Sequence, residues 1–312
     1  MERLETEIYL RYKQIIESQG IVVPAASESP VPRRVRREDL LDRYDAFCFD
    51  GYGTLYNRGS FVYDGALDWY TMLRAAGKQM RLITNAASDV DSVLASDAAK
   101  RGFAFSEAET ISSGSLLKDL CVELRGRGKM VREVYYIGRE TGKHVLENCG
   151  IKAVAIDAEP AEPIVAISSA KDTPESYAQA VKILKRPGAM LLVLNSDAWA
   201  PKILGNDGVT VREPVSGALS ERLRRDSMCS ANGGAGCETY YLGKPFPAIW
   251  EKAKRSLPEG SRVLMVGDTL GTDVLGAKVA VFDSALVVGR NVPADELDSD
   301  EAALGVRPDW YL

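Results

Sequence analysis

The residues best suited to chemistry in this chain are three aspartates and one lysine. Asp50 and Asp268 each follow an apolar run, and Asp273 lies in the same short turn as Asp268. Carboxylates brought together in this way offer the sparse set of oxygen ligands that Mg²⁺ prefers, with room left for water and a phosphate oxygen. Lys244, between a glycine and a proline, supplies a cation for a phosphoryl group that gathers negative charge during transfer. These residue types therefore indicate metal-assisted phosphoryl chemistry.

Thr84 and Asn85 extend this set at the end of another apolar run. The Thr84 hydroxyl and the backbone amides around Asn85 are donors that suit a phosphate at the start of a helix. A Thr-Asn pair after a strand is by itself a weak motif, because such pairs are common in ordinary turns. Its presence together with Asp50, Lys244 and Asp268 makes a functional role more credible. The predicted phosphate-binding residues are therefore Thr84, Asn85 and Lys244.

The elements that would position these residues follow from the hydrophobic pattern. From residue 44 onward, apolar runs that suit buried strands alternate with segments of helical periodicity. The predicted strands are 46–49, 80–84, 134–137, 164–167, 190–194, 263–266 and 285–288. The predicted helices are 64–76, 89–101, 115–125, 174–185, 216–225 and 247–255. Such alternation predicts an α/β fold, with a Rossmann-like doubly wound parallel sheet and helices on both faces.

The positions of the candidate residues along these strands are expected to bring them together. Asp50, Thr84, Lys244 and Asp268 each lie at or just after the end of a strand-like run. In open α/β sheets, ligands bind beyond the carboxyl ends of the strands. Four chemically useful groups should then converge on one edge of the sheet, which is a stronger signal than any single motif.

Chain length and the spacing of the motifs predict an inserted domain. The 312 residues suit one large or two medium domains. About 160 residues separate Asn85 from Lys244, which is far too many for a loop, and they contain their own strands and helices. We therefore expect an α/β cap domain at 129–238, inserted into a core formed by 38–128 and 239–312.

We predict that the first 37 residues form a helical extension with no chemistry of its own. Apolar positions over 2–18 have roughly the spacing of an amphipathic helix, and a linker of prolines and small polar residues follows at 23–32. The arginines clustered at 33–37 are expected on a solvated helix face rather than at a polyanion site. Two roles are open for residues 1–37: clasping the core, or supporting a homodimer.

Composition and charge argue against several functional classes. The net charge of −5 gives no reason to expect nucleic acid or an anionic membrane as a partner. No stretch approaches the ~18 apolar residues of a membrane span, and the N-terminus is too charged for a signal peptide. Five cysteines without Cys-x-x-Cys spacing indicate reduced thiols and a cytoplasmic protein. The single histidine, His144, argues against a histidine-based zinc site and a Ser-His-Asp triad.

Four segments, taken in order, resemble the motifs of the haloacid dehalogenase (HAD) superfamily. They lie at 46–56, 82–85, 242–245 and 266–273. The predicted insert between the second and third motifs resembles that of the class IIA branch, which holds nucleotide, pyridoxal phosphate and phosphoglycolate phosphatases with a large α/β cap. The resemblance covers about residues 44–312. It implies a magnesium-dependent phosphatase that acts on a small phosphorylated metabolite.

The resemblance also implies roles for individual residues. Asp50 corresponds to the nucleophile, whose carboxylate forms an aspartyl-phosphate that water later cleaves. Asp268 corresponds to a direct ligand of Mg²⁺, and Asp273 supports the ligand shell or Lys244. The backbone carbonyl of Tyr52 would also bind the metal, and a carbonyl survives any change of side chain.

Tyr52 departs from the phosphatase pattern and leaves the reaction partly open. Phosphatases usually carry an aspartate there, and such an acid–base group is worth ~10²–10⁴ in rate. A phenol, with an ordinary pKa near ~10, is a poor general base at neutral pH. The Asp-x-Tyr-Gly-Thr-Leu form resembles dehalogenases of the same superfamily, which need no metal. The alternatives are thus a metal-independent dehalogenase-type hydrolase, or a phospho-ligand-binding protein with little turnover.

Asn195, Asp197 and Trp199 are the candidate substrate residues of the cap. They lie in a loop after a strongly apolar strand, and a similar Asn-x-Asp segment faces the active site in the class IIA branch. Asp197 would bind a hydroxyl or an amine. Trp199 would stack on a planar ring, or else pack at the domain junction, which is the more common role of such a tryptophan.

Overall fold

The computed structural model describes residues 2–28, 30–204, 209–228 and 236–312, and its largest sheet has seven strands. In spatial order these are β1 (Arg33–Arg34), β14 (Trp310–Tyr311), β13 (Asp283–Leu286), β12 (Val263–Gly267), β2 (Ala46–Phe49), β3 (Gln79–Thr84) and β4 (Thr110–Ser112). Every pairing in this sheet is parallel. Because β2 and β12 are neighbours, the residues that follow them emerge side by side at one edge.

A second parallel sheet has five strands. In spatial order these are β11 (Glu238–Tyr241), β8 (Met190–Val193), β7 (Ile164–Ile167), β5 (Glu133–Ile137) and β6 (Lys152–Ala153). Strands β9 (Trp199–Leu204) and β10 (Val209–Pro214) pair with each other in antiparallel orientation. Strand β11 lies at the predicted start of the second core segment but pairs with β8 of the smaller sheet. The division into extension, core and cap stays a prediction, and the pairing of β11 with β8 favours a second boundary after Tyr241.

Helices flank both sheets. The described α-helices are α1 (Glu2–Ser18), α2 (Ala66–Ala75), α3 (Asp91–Ala99), α4 (Leu117–Gly126), α5 (Lys143–Glu147), α6 (Pro174–Leu184), α7 (Ser216–Asp226), α8 (Pro247–Arg255), α9 (Leu275–Ala280) and α10 (Leu297–Leu304). The predicted α/β class is therefore confirmed. Within these described ranges, the helices lack the combined length and apolar character that crossing a membrane requires.

Most predicted elements lie within a few residues of the observed ones. Strand β2 and helix α8 match their predicted ranges. The clearest shift is β13, which begins and ends two residues before the predicted strand at 285–288. Its pairing with β12 starts at Asp283, a polar residue that an apolar pattern does not include.

The basic run at 33–37 does not form the expected helix. Arg33 and Arg34 are exposed, as predicted, but they form β1 and pair with β14. A short 3-10 turn then begins at Arg37. The partner of β1, β14, lies at the other end of the chain. The local sequence pattern around 33–37 therefore could not predict this pairing.

Strand β2 is fixed from both faces of the larger sheet. Its four residues are buried: Ala46 and Cys48 belong to one apolar cluster, and Phe47 and Phe49 to another. Successive side chains of a strand point to opposite faces, and a strand buried on both faces reads as a continuous apolar run. The position of Asp50 is therefore set by a well-packed strand immediately before it.

Helix α1 packs against its own chain. The residues Ile8, Tyr9, Tyr12 and Ile16 are buried, at the spacing of one helix face. Their cluster includes Phe246 and Leu270 of the segments that carry the third and fourth motifs. Of the two roles that the sequence leaves open, clasping the core agrees with this packing, and the homodimer stays a prediction.

Candidate active site

The predicted catalytic residues come together where the strands of the larger sheet end. Asp50 follows β2, Thr84 ends β3 and Asp268 follows β12. Lys244 arrives from a different direction, because it lies three residues after the end of β11 in the smaller sheet. These four residues and Asp273 line one cavity of about 350 Å³. Residues 242–246 lead from β11 of the smaller sheet to helix α8, and we call this segment the crossing. The crossing places Lys244 next to the acids of the larger sheet.

Lys244 is a buried cation held between two carboxylates. Its Nζ donates to Asp50 Oδ1 at 2.5 Å and to Asp273 Oδ1 at 2.7 Å. Burial lowers the pKa of Lys244, but the charges of Asp273 and Asp50 outweigh burial and raise that pKa above its ordinary value. Lys244 therefore stays protonated at physiological pH and places a fixed positive charge beside Asp50.

Asp50, Asp268 and Asp273 form a buried cluster of acids. One oxygen from each lies within 4.8 Å of the other two. Burial raises the pKa of Asp50 to about 7 and the pKa of Asp268 well above its ordinary value, and neighbouring carboxylates add to both shifts. Three carboxylates out of water are not balanced by one lysine, so a further cation would stabilise their charged forms. The donor set of buried oxygens fits Mg²⁺.

Hydrogen bonds distinguish two kinds of acid within this cluster. Asp268 Oδ1 accepts from the Thr269 hydroxyl at 3.0 Å, whereas Asp268 Oδ2 is buried without a hydrogen-bond partner among the described residues. Asp273 has both oxygens occupied, Oδ1 by Lys244 and Oδ2 by the amides of Asp268 and Thr269 at 3.1 and 3.0 Å. A buried oxygen without a partner is costly unless a ligand completes it. This pattern agrees with Asp268 as a direct ligand and Asp273 as its support.

The turn after Asp50 closes tightly over Asp268. Gly53 has a φ of +98°, and a Cβ at this position would come closer than 3.0 Å to Asp268 Oδ2. Glycine meets both demands, because it adopts positive φ readily and has no side chain to clash. On the other side, Asn291 Nδ2 donates to Thr269 Oγ1 at 2.7 Å, and Thr269 donates in turn to Asp268. Two separate loops thus fix the orientation of the Asp268 carboxylate.

The Asn85 side chain joins Lys244 to the predicted substrate loop. Its Nδ2 donates to Asp197 Oδ1 at 2.7 Å and to the Lys244 carbonyl at 3.0 Å, and its Oδ1 accepts from the Lys244 amide at 2.7 Å. The side chain is therefore occupied in positioning other groups. The Thr84 hydroxyl, whose Oγ1 accepts from the Ala86 amide at 3.2 Å, and the backbone amides remain the predicted phosphate donors.

Two family models match separate parts of the chain, one before strand β7 and one after strand β8. One, described as haloacid dehalogenase-like hydrolase, matches residues 47–152, and the other, described as HAD-hydrolase-like, matches residues 241–311. The chain belongs to the haloacid dehalogenase-like hydrolases. The superfamily and the class IIA branch expected from the motifs are confirmed.

Individual relatives agree with this family. Mouse chronophin is 28% identical over 244 residues, which cover 76% of this chain and 78% of chronophin. Human glycerol-3-phosphate phosphatase is 26% identical over 310 residues, 89% of this chain and 90% of the relative. A possible sugar phosphatase of the HAD superfamily from Cytophaga hutchinsonii superimposes with a TM-score of 0.74 at 23% identity, over 90% of this chain and 97% of that one. At that identity the structural likeness supports the fold alone.

In this haloacid dehalogenase-like hydrolase, the phenol of Tyr52 reaches towards an acid on α3. Its Oη lies 3.5 Å from Asp97 Oδ2, and its ring packs edge-on against Tyr56 with centroids 5.1 Å apart. Burial, followed by the charge of Asp97, raises the pKa of Tyr52 above its ordinary value. Tyr52 therefore lines the cavity as a protonated phenol and offers no base beside Asp50.

Asn195, Asp197 and Trp199 line the same cavity of the hydrolase. Asn195 Oδ1 accepts from the Asp197 amide at 2.8 Å and so shapes the loop. Burial raises the pKa of Asp197 to about 6, against the opposite effect of Lys244. Trp199 is 7% exposed and packs in the cluster that contains Tyr9 of α1. This packing agrees with a role for Trp199 at the domain junction, and its stacking on a planar ring of the substrate stays a prediction.

Two arginines that line the hydrolase cavity could not be predicted from the sequence. Arg58 pairs with Glu213 of strand β10, and Arg139 lies two residues after β5. Neither belongs to a motif, and a single arginine in a loop carries no signal in one sequence. The support of Thr269 by Asn291 was missed for the same reason, since Asn291 follows no strand-end pattern.

Proposed function

We propose that this hydrolase is a magnesium-dependent phosphatase that acts on a small phosphorylated metabolite. The observation that carries the proposal is the contact of Lys244 with Asp50 beside the buried Asp268 oxygen that lacks a described partner. The names of relatives also support it, among them human glycerol-3-phosphate phosphatase and a 5'-nucleotidase of Bacillus subtilis. A cavity of about 350 Å³ suits a small ester.

Asp50 is the proposed nucleophile. One carboxylate oxygen attacks phosphorus while the bond from phosphorus to the leaving oxygen breaks, which gives an aspartyl-phosphate that water then cleaves. Lys244 holds Asp50 by a hydrogen bond and stabilises charge on the phosphoryl oxygens. The Thr84 hydroxyl and the amides near Asn85 orient the same group.

Asp50, Asp268 and the Tyr52 carbonyl are the proposed ligands of Mg²⁺, with Asp273 in support. When bound, the metal neutralises charge on the transferring phosphoryl group. Asp273 keeps Lys244 and the Asp268 turn in place through its two occupied oxygens.

The cap at 129–238 is proposed to choose the substrate. Asn195, Asp197 and Trp199 bring cap atoms into the cavity that Asp50 lines. Asp197 keeps its predicted role of binding a hydroxyl or an amine of the substrate. The homodimer and the cytoplasmic location stay predictions.

A dehalogenase-type hydrolase remains the alternative that Tyr52 favours, because halide displacement needs no leaving-group proton. The buried acid cluster opposes this alternative, since the dehalogenases that Tyr52 resembles work without a metal. A screen of phosphorylated metabolites and 2-haloacids, run with Mg²⁺ and again with EDTA, separates the two. Phosphate release that EDTA abolishes supports the phosphatase, and halide release in EDTA overturns it. A protein that only binds phospho-ligands would give neither product.

We expect Asp50→Asn to abolish phosphate release while the fold stays intact. The amide keeps the shape of the side chain but removes the nucleophile and one charge from the predicted metal site. Turnover and thermal unfolding are measured together. Asp45→Asn is the matched control, because Asp45 lies at the other end of the same strand, exposed and paired with Arg262. Turnover of the Asp50 variant above ~1% of wild type would remove Asp50 from the nucleophile role.

A further inference from the structure

Helix α1 lies outside both family models, which match residues 47–152 and 241–311, yet it contacts three of the segments that carry the candidate site. These segments are the substrate loop around Asp197, the crossing that carries Lys244, and the turn from Asp268 to Asp273. Two tyrosines of α1, Tyr9 and Tyr12, make the contacts, and both are almost fully buried.

Tyr9 touches two of the three segments at once. A Cβ at Gly271 would come closer than 3.0 Å to three atoms of the Tyr9 ring, so the ring lies directly on this glycine of the Asp268–Asp273 turn. At the edge of the ring, Tyr9 Oη accepts a hydrogen bond from the Ala198 amide at 3.3 Å. Ala198 immediately follows Asp197. One side chain therefore links the proposed metal turn to the proposed substrate loop.

Tyr12 covers the third segment. Its ring centroid lies 4.9 Å from that of Tyr241 and 5.0 Å from that of Phe246. These two aromatics flank Lys244 in the chain, and they stack on each other at 5.1 Å. The crossing that delivers Lys244 is thus packed against α1 on both sides of the lysine.

Ion pairs extend the contacts of α1 to the cap. Arg11 pairs with Glu221 of helix α7 at 3.2 Å, and Glu5 pairs with Arg212 of strand β10. On the opposite side, Lys13 Nζ donates to the Leu304 carbonyl of α10 at 3.2 Å. If the cap moved away from the larger sheet, α1 would lose either its ion pairs to α7 and β10 or its hydrogen bond to α10.

We propose that α1 is a strap that holds the substrate loop, the Lys244 crossing and the Asp268–Asp273 turn in one arrangement, with Tyr9 as its positioning residue. The kinetic consequences rest on the phosphatase function proposed above. The structural consequence is independent of that function. If α1 holds the substrate loop and the Asp268–Asp273 turn together, the two segments should move together whether or not the protein hydrolyses a phosphate ester.

Tyr9→Phe tests the link to the substrate loop. The ring stays over Gly271, and only the hydrogen bond to Ala198 is lost. Loss of one such bond corresponds to about fivefold in an equilibrium. We expect KM for p-nitrophenyl phosphate to rise by about that factor with little change in kcat, and backbone hydrogen exchange over 195–201 to quicken. Unchanged KM and unchanged exchange would overturn the positioning role of the hydroxyl.

Gly271→Ala and Tyr9→Ala test the link to the turn as a pair. The new Cβ of Gly271→Ala displaces the Tyr9 ring, so we expect kcat to fall by at least about tenfold at saturating Mg²⁺. Removing the ring in the double variant makes room for that Cβ and should restore part of the loss. Additive effects of the two substitutions would show that Gly271 acts without Tyr9, and would overturn the strap.

Lys13→Ala is the control on the same helix, because Lys13 Nζ donates to the carbonyls of Leu304 and Gly305 at the end of α10. It should lower the unfolding temperature slightly and leave KM and exchange over 195–201 and 268–275 unchanged. In Tyr9→Ala both segments should exchange faster together. If the wild type releases no phosphate from any ester, the proposed phosphatase fails and hydrogen exchange alone decides the strap: faster exchange in both segments supports it, and exchange equal to that of Lys13→Ala overturns it.

Discussion

By the resemblance of the first motif, Tyr52 corresponds to the acid–base aspartate of phosphatases in this superfamily, and its phenol lies near Asp97. Substrates whose leaving group departs without proton help should then be preferred, such as aryl, enol and acyl phosphates. We expect Tyr52→Asp to accelerate hydrolysis of a simple alkyl phosphate by ~10²-fold, and that of p-nitrophenyl phosphate much less. Steady-state rates on both esters at saturating Mg²⁺ check this.

Tyr52→Phe is the control for that substitution, because it removes the hydroxyl and keeps the ring against Tyr56. It should leave the ratio of the two rates as it is in the wild type. If the wild type already hydrolyses the alkyl ester at an ordinary rate, and Tyr52→Asp adds nothing, another residue supplies the proton and this account of Tyr52 is wrong.

The partly buried carboxyl of Asp197 predicts a dependence of stability on pH. Burial raises its pKa from 3.8 to about 6, so the folded state binds the proton more tightly than the unfolded state. The stability that this proton provides is present below pH 3.8 and is lost as pH rises through about 6. We expect Asp197→Asn, which keeps an acceptor for Asn85, to gain stability relative to wild type between pH 5 and pH 8. The gain should be on the order of 2 kcal/mol.

Chemical denaturation without metal at both pH values measures this gain. Asp45→Asn is again the control, because the hydrogen bonds from Arg262 hold the pKa of Asp45 at about 2. Asp45 is then ionised in both the folded and unfolded states from pH 5 to pH 8, and its substitution should have the same effect at either value. A gain that does not grow with pH in Asp197→Asn would contradict the raised pKa.

The acids and the lysine of the candidate site could be predicted from the sequence, because each follows a strand-like run in a recognisable motif. The connections of Asn85 could not be predicted. Its partners lie 112 residues away at Asp197 and 159 residues away at Lys244, and no local pattern encodes contacts of that range. Sequence alone therefore identified Asn85 but assigned its side chain no partner.

The turn between β2 and α2 offers a test at two glycines. Gly53 and Gly59 both have positive φ, +98° and +70°, but only Gly53 faces a neighbour that a Cβ would strike, Asp268 Oδ2. We expect Gly53→Ala to displace that carboxylate and to lower magnesium-dependent turnover by more than about 100-fold. Gly59→Ala introduces similar backbone strain, but its Cβ would meet no atom within 4 Å, so it should lower turnover far less than Gly53→Ala. Equal losses of turnover in both variants would refute this reading of the turn.

The longer strands and helices were predictable for a physical reason that the short ones lack. Strands buried on both faces, such as β2 and β7, read as unbroken apolar runs. The two-residue strands β1 and β6 contain charged side chains and exist only because a longer partner strand lies beside them. Their positions depend on the assembled sheet, and no period in the sequence marks them.

The charge balance of the whole site predicts that metal stabilises the fold. Asp50, Asp268 and Asp273 are buried beside one cation, Lys244, and burial raises the pKa of Asp50 and that of Asp268. Mg²⁺ at a hundredfold excess over its Kd should raise the unfolding free energy by about 2.7 kcal/mol. Asp268→Asn should lose most of this increase, whereas Asp45→Asn should retain it. An unfolding midpoint that does not respond to Mg²⁺ would argue against a metal at this cluster, whatever the activity.

Cys48 lies in β2, directly before Asp50, and its reactivity can measure how often this strand leaves the sheet. Its thiol is fully buried, and burial raises the pKa of Cys48 to about 12, so almost no reactive thiolate forms at neutral pH. A disulfide reagent should modify the half-buried Cys121 and Cys149 early and reach Cys48 only when β2 leaves the sheet. The rate at which the Cys48 thiol is labelled would then report how often β2 leaves the sheet, without any engineered probe.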